Sequence, residues 1–190
     1  MGSLTRSLTF AGAVMAALAI VVPVGPAAAQ SATTWIAGGG LSLPSGEFNT
    51  YANTGWDLTG AVERSLGRHP TAIRVGLGYA VNSDETRLGF HESTKLSSVF
   101  ASVVYHVVGA RPHIFGLLGI GWFQRQFSSS DPDDPGLTDG HVALQIGEGV
   151  TFKVGSARLF VEGRFITTLG PAPFRYFPLI AGIRLGGREL

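Results

Sequence analysis

From Trp35 to Leu185 the chain alternates, position by position, between large apolar residues and small or polar ones. A period of two places alternate side chains on opposite faces of a β-strand. Eight such segments can be marked out, at 34–43, 55–66, 71–81, 95–107, 112–127, 140–154, 157–169 and 175–185. In the first, Trp35, Ala37, Gly39, Leu41 and Leu43 share one face, while Gly38, Gly40 and Ser42 share the other. The third sets Ile73, Val75, Leu77 and Tyr79 against Arg74, Gly76, Gly78 and Ala80. The fourth is blurred, because Phe100 and Val104 fall on the minor face with Ser102 and His106. The connections run long, short, long, short along the chain. An even number of strands joined in this way predicts an all-β fold: a closed, antiparallel, up-and-down barrel with two unlike rims.

The minor face decides which side points inward. It repeatedly carries glycine at neighbouring same-face positions: Gly38 and Gly40, Gly76 and Gly78, Gly119 and Gly121, Gly147 and Gly149. On a solvated surface such glycines pack nothing and lose strand propensity. Inside a narrow eight-strand barrel they leave room for long charged side chains. The expected arrangement is therefore inverted, with apolar residues outside and a polar, Gly-rich interior, as in a barrel that spans a membrane. The alternative is a soluble, lipocalin-like ligand-binding barrel in the periplasm. It requires Trp56, Val75, Leu118, Leu144 and Leu179 to face inward around a cavity.

The two rims differ in charge. The long connections carry Glu47, Asp84, Glu85, Glu92, Asp131, Asp133, Asp134 and Asp139 against Arg87. The short-turn rim carries Arg68, Arg111, Lys153, Arg158 and Arg188. Short turns of a membrane barrel face the periplasm and longer loops face outward, which makes the outer rim acidic.

A leader precedes the strands. Arg6 is followed by an apolar run from Leu8 to Val22, then by Pro23, Pro26 and Ala27-Ala28-Ala29. This is the form of a secretory signal peptide cleaved after Ala29, so residues 1–29 are expected to be removed and 30–190 to form one barrel domain. There is no cysteine, which removes disulfide frameworks and thiolate metal sites. Lys and Arg total 14 against 13 Asp and Glu, and Arg6 belongs to the leader. The balanced remainder gives no reason to expect a nucleic-acid partner. No apolar run after the leader is long enough for a spanning helix.

These features resemble the small eight-stranded outer-membrane barrels, the family of the OmpA transmembrane domain and the OmpX-like proteins. The residues that carry the resemblance are the leader, Gly147-Glu148-Gly149-Val150, the segment Phe160-Val161-Glu162-Gly163-Arg164-Phe165, and the closing Phe177-Pro178-Leu179-Ile180-Ala181-Gly182-Ile183-Arg184-Leu185. The resemblance implies a place in the outer membrane of a Gram-negative cell envelope. It also implies outer-membrane lipids as surroundings, the barrel-assembly machinery as a partner during biogenesis, and a monomer as the expected state. An extracellular partner, of a kind the sequence does not identify, would meet the long loops. The chain departs from the family by continuing past Leu185 to Gly186-Gly187-Arg188-Glu189-Leu190. It also lacks the peptidoglycan-binding domain of the larger family members.

Strict alternation directs Asp57, Glu63, Arg74, Arg125, Glu162, Arg164 and Arg184 into the lumen. Buried charges must be paired or hydrated, so these seven predict a structural ion-pair network that plugs the barrel and leaves no wide pore. Glu148 falls on the apolar face by the same count, unless a β-bulge turns it inward. Trp35, Trp56, Tyr79, Tyr105, Trp122 and Phe165 lie on the outer face and are candidates for interfacial aromatic girdles. His91-Glu92-Ser93 raises the alternative of an outer-membrane lipid-modifying hydrolase, but adjacent strand residues point to opposite faces and a triad needs convergence. Asp131, Asp133 and Asp134 lack EF-hand spacing. The five histidines lack metal-ligand spacing. The sequence therefore predicts no catalytic residue, no cofactor and no metal.

Overall fold

The computed structural model describes residues 33–50, 52–66, 69–83, 92–107, 109, 112–129, 137–155, 157–170 and 173–187. The leader with its cleavage site, His91 and the Asp131, Asp133 and Asp134 cluster lie outside them. Eight strands run β1 (Thr33–Ser45), β2 (Gly55–Ser65), β3 (Thr71–Ser83), β4 (Glu92–His106), β5 (His113–Ser129), β6 (Leu137–Val154), β7 (Ala157–Thr168) and β8 (Arg175–Gly186). Each pairs antiparallel with the next, and β1 pairs with β8, closing the barrel. Trp35 of β1 stands opposite Val62 of β2 on one side and Leu185 of β8 on the other. Closure leaves no sheet edge unpaired.

The facing follows the alternation. Trp56, Leu118, Leu144 and Leu179 are exposed on the outer wall and Val75 is half-exposed there, while Asp57, Glu63, Arg74, Glu162 and Arg184 are buried in the lumen. The arrangement is the reverse of what a soluble ligand-binding barrel requires. The interior glycines make room for large neighbours. A Cβ on Gly38 would come within 2.8 Å of Ile180 and 3.0 Å of the Phe160 ring, and one on Gly149 within 2.5 Å of the Phe115 ring.

The strands reach farther toward the long connections than alternation foretells. The β3–β4 ladder continues to Ser83 opposite Ser93, and the β4–β5 ladder to Glu92 opposite Ser129. Both ends are polar on both faces, so no hydrophobic period marks them, yet backbone pairing continues. The first long connection also has structure of its own. Gly46, at φ 63°, turns the chain into a 3-10 helix, Gly46–Thr50, where Phe48 is buried. At the opposite rim, Gly155 takes φ 61° in the tight β6–β7 turn, a conformation open to glycine at little steric penalty.

Candidate functional site

The lumen is closed at two levels by different chemistry. In the half nearer the short turns, Arg74 on β3 donates from Nε and Nη2 to Glu63 Oε2, at 3.0 and 2.8 Å. Its Nη1 donates to Glu162 Oε2 on β7 at 2.5 Å. Strands β3 and β7 stand on opposite walls of an eight-strand barrel, so Arg74 bridges the lumen. Arg184 Nη2 on β8 donates to Glu63 Oε1 at 2.5 Å, and His106 Nε2 on β4 lies 3.1 Å from the same oxygen. Arg164 Nε donates to Glu162 Oε1. The result is one chain of alternating charge, Arg184–Glu63–Arg74–Glu162–Arg164. Every link is a charge-assisted hydrogen bond between desolvated partners, the strong class of such bonds. Phe115 gives the network an apolar floor, with Arg74 and Arg184 at 5.1 and 5.2 Å from its ring centroid, within cation–π range.

Two of the seven predicted interior charges stand apart from that chain. Asp57 is buried on β2, farther toward the long connections. Arg125 sits near the loop rim of β5, where Nη2 donates to Asp139 Oδ2 at 2.8 Å and Nε to Oδ1 at 3.1 Å. His141 Nε2 lies 3.2 Å from Asp139 Oδ2. This rim group is a separate, half-exposed cluster, because the seven charges occupy different heights along their strands. Alternation records face but not height.

Toward the long connections the lumen turns apolar. Phe48, Phe100, Phe123, Phe174 and Tyr176 pack there with Leu96 and Ile166. Phe48, 2% exposed, reaches in from the 3-10 helix and meets Phe174 at 4.1 Å between ring centroids, and Phe174 meets Phe123 at 5.3 Å. The interior residues expected from the sequence include neither Phe48 nor Phe123. Phe123 is the inward residue next to Trp122, and strict counting finds it. Phe48 lies in a connection without periodicity and gives no such signal. Between aromatic cap and ion-pair network lies a cavity of about 10 Å³ beside Arg74, Ser98, Ser102, Gln145 and Arg164, room for about one water. Gln145 Oε1 and Arg184 Nη1 are buried without a hydrogen-bond partner among the described residues.

Among the described residues nothing in this arrangement converges as a catalytic set. Ser93 pairs across the β3–β4 ladder with Ser83, and His91 lies outside the described residues. Among the described residues no three His, Cys, Asp or Glu side chains are grouped to hold a metal ion. No described helix is long and apolar enough to cross a membrane, which says nothing of strands.

The outer wall carries the aromatic residues at distinct heights. Trp56, Tyr79 and Trp122 lie toward the long connections, with Trp56 and Tyr79 rings 5.6 Å apart. Trp35 and Tyr105 lie toward the short turns, and Phe165 is half-exposed between the two levels, opposite Ile146. Glu148 is on this wall too. The β5–β6 and β6–β7 registers run without interruption through Gly116–Glu148 and Glu148–Gly163, so no bulge turns it inward.

No family model matches the sequence, and no curated relative does. Solved structures are similar in fold. Neisserial surface protein A (NspA) superposes with a TM-score of 0.57 at 17% identity, over 81% of this chain and 96% of its own. A major outer membrane protein from Thermus thermophilus gives 0.53 at 15% identity, over 82% of this chain and 100% of its own. At this identity the likeness establishes the eight-stranded barrel and leaves its work to be argued from the residues.

Proposed function

We propose that the chain is an integral outer-membrane barrel, closed to a wide water path, with a structural or surface-interaction role carried by its long connections. The observation that carries this is the outer wall. On β6 the outward row Val142, Leu144, Ile146, Glu148, Val150, Phe152 and Val154 is apolar at six of seven positions. At about 3.4 Å per residue and a tilt of roughly 40°, such a row rises about 30 Å, against the ~25 Å apolar band of membrane barrels. Soluble proteins rarely leave so large an apolar surface to water. Outer-membrane lipids would cover the belt, and the barrel-assembly machinery would insert it after export by the leader. The fold likeness to a surface protein and to an outer membrane protein agrees with that address.

The lumen speaks for a structural role over transport. Arg74 joins opposite walls through Glu162, the aromatic cap lies above, and the cavity of about 10 Å³ between them holds about one water. The acidic long connections would be the part that meets an extracellular partner. Refolding the mature chain into phospholipid vesicles tests this reading. It should float with the vesicles and keep its strands protected from protease, without porin-sized conductance across a planar bilayer. Failure to float would remove the membrane assignment, and a large steady conductance would remove the closed lumen.

A further inference from the structure

Glu148 occupies the centre of the β6 outward row, with Val142, Leu144 and Ile146 on one side and Val150, Phe152 and Val154 on the other. Its side chain is exposed and has no hydrogen bond or ion pair with any described residue. Among the described outward residues between the two aromatic levels, it is the one ionisable group. Its cross-strand neighbours are Gly116 on β5 and Gly163 on β7. A Cβ on Gly116 would meet only a carbonyl oxygen, 3.8 Å away, so that side of the carboxyl is open. The next row toward the long connections is Leu118, Ile146 and Phe165. Leu118 and Ile146, at 63% and 59%, are the most exposed large apolar residues described. On the other side the Phe177 ring lies over Gly163, within 2.8 Å of where a Cβ would stand, so the wall presents a carboxyl open on its β5 side beside a protruding aliphatic ridge.

We propose that this face of β5, β6 and β7 is the contact between two copies of the chain in the membrane, with Glu148 paired to Glu148 of the second copy. The inference rests on the membrane reading above. In hydrocarbon a lone carboxyl finds no water to answer its polar atoms, and leaving them unsatisfied is costly. A second carboxyl at the same height can share a hydrogen bond with it across the contact. Two copies in one membrane stand the same way up, so a two-fold axis along the membrane normal brings like height to like height. A residue at mid-belt then meets its own counterpart, as an isologous contact requires. The open wall at Gly116 lets the two copies approach there for the carboxyl arms to touch, and the exposed Leu118 and Ile146 are covered in the same contact. The proposal is the alternative to the monomer expected from the sequence.

The chain has no cysteine, so single cysteines report proximity cleanly. Ile114→Cys, which the strand tilt places beneath Glu148 on the short-turn side, in the mature chain refolded into vesicles of phosphatidylethanolamine and phosphatidylglycerol, should form a disulfide-linked dimer on mild oxidation. Leu58→Cys, on β2 across the barrel, should not. Adding Glu148→Leu should lower the Ile114→Cys dimer yield at least tenfold. Adding Glu148→Gln should preserve it, since a primary amide also donates and accepts. Vesicle flotation of every variant separates loss of the contact from loss of insertion. Equal cross-linking at the two cysteine sites would overturn the proposal, as would a dimer indifferent to Glu148→Leu. Native mass spectrometry that finds a monomer keeping one lipid, lost on Glu148→Leu, would overturn it in favour of a lipid ligand. Chains that fail to float would overturn it together with the membrane reading.

Discussion

Arg74 shows how one side chain can hold a lumen shut. It is 3% exposed and bonded to carboxylates on two strands, Glu63 and Glu162. Removing it takes from two buried carboxylates the cation they share, and leaves Glu63 to Arg184 and His106 and Glu162 to Arg164. Arg74→Ala is expected to destabilise the barrel by about 3–5 kcal/mol, measured by urea unfolding in vesicles. Replacing Arg74 and Glu162 together by Met and Leu should cost more than the single change, because it also leaves the buried Arg164 without the carboxylate that answers it. That Arg74, Glu63, Glu162, Arg164 and Arg184 all face inward was legible from alternation. That they form one chain while Arg125 and Asp57 do not was illegible, because spacing along a strand says nothing of height relative to a strand 88 residues away.

At the scale of elements, the strands were legible and the first long connection was not. Strand periodicity is local, and Ile73, Val75, Leu77 and Tyr79 announce their face within a single segment. Phe48 has no periodic neighbours, so its burial is decided by the hole that Phe123, Phe174 and Tyr176 leave at the mouth of the barrel. Phe48→Ala should release the 3-10 helix from that mouth, with a loss of about 3 kcal/mol in its docking. The expected readout is faster protease cleavage within 46–54 in vesicles, with β1 and β2 still protected. Equal cleavage of variant and parent would show that the helix is not held by this ring.

At the scale of the whole molecule the stability of the barrel depends on its solvent. The belt favours the folded state only where apolar surroundings meet it, and the polar lumen needs no access to bulk water. Ile146→Arg, an outward change near mid-belt on β6, is expected to lower stability in vesicles by about 2–4 kcal/mol, read from the shift of the unfolding midpoint. An unchanged midpoint would mean that this face does not lie against hydrocarbon.

By itself the sequence determined the number of strands, their order, and which face of each is apolar. These follow from a period of two and from turn lengths, which are properties of neighbouring residues. Only the tertiary structure decided the register in which β1 meets β8, that Arg74 reaches Glu162, that Phe48 closes the mouth, and that Glu148 stays outside at an unbulged register. Each depends on heights and distances between segments remote in sequence, which become defined when the sheet closes and fixes every strand against the one across the lumen.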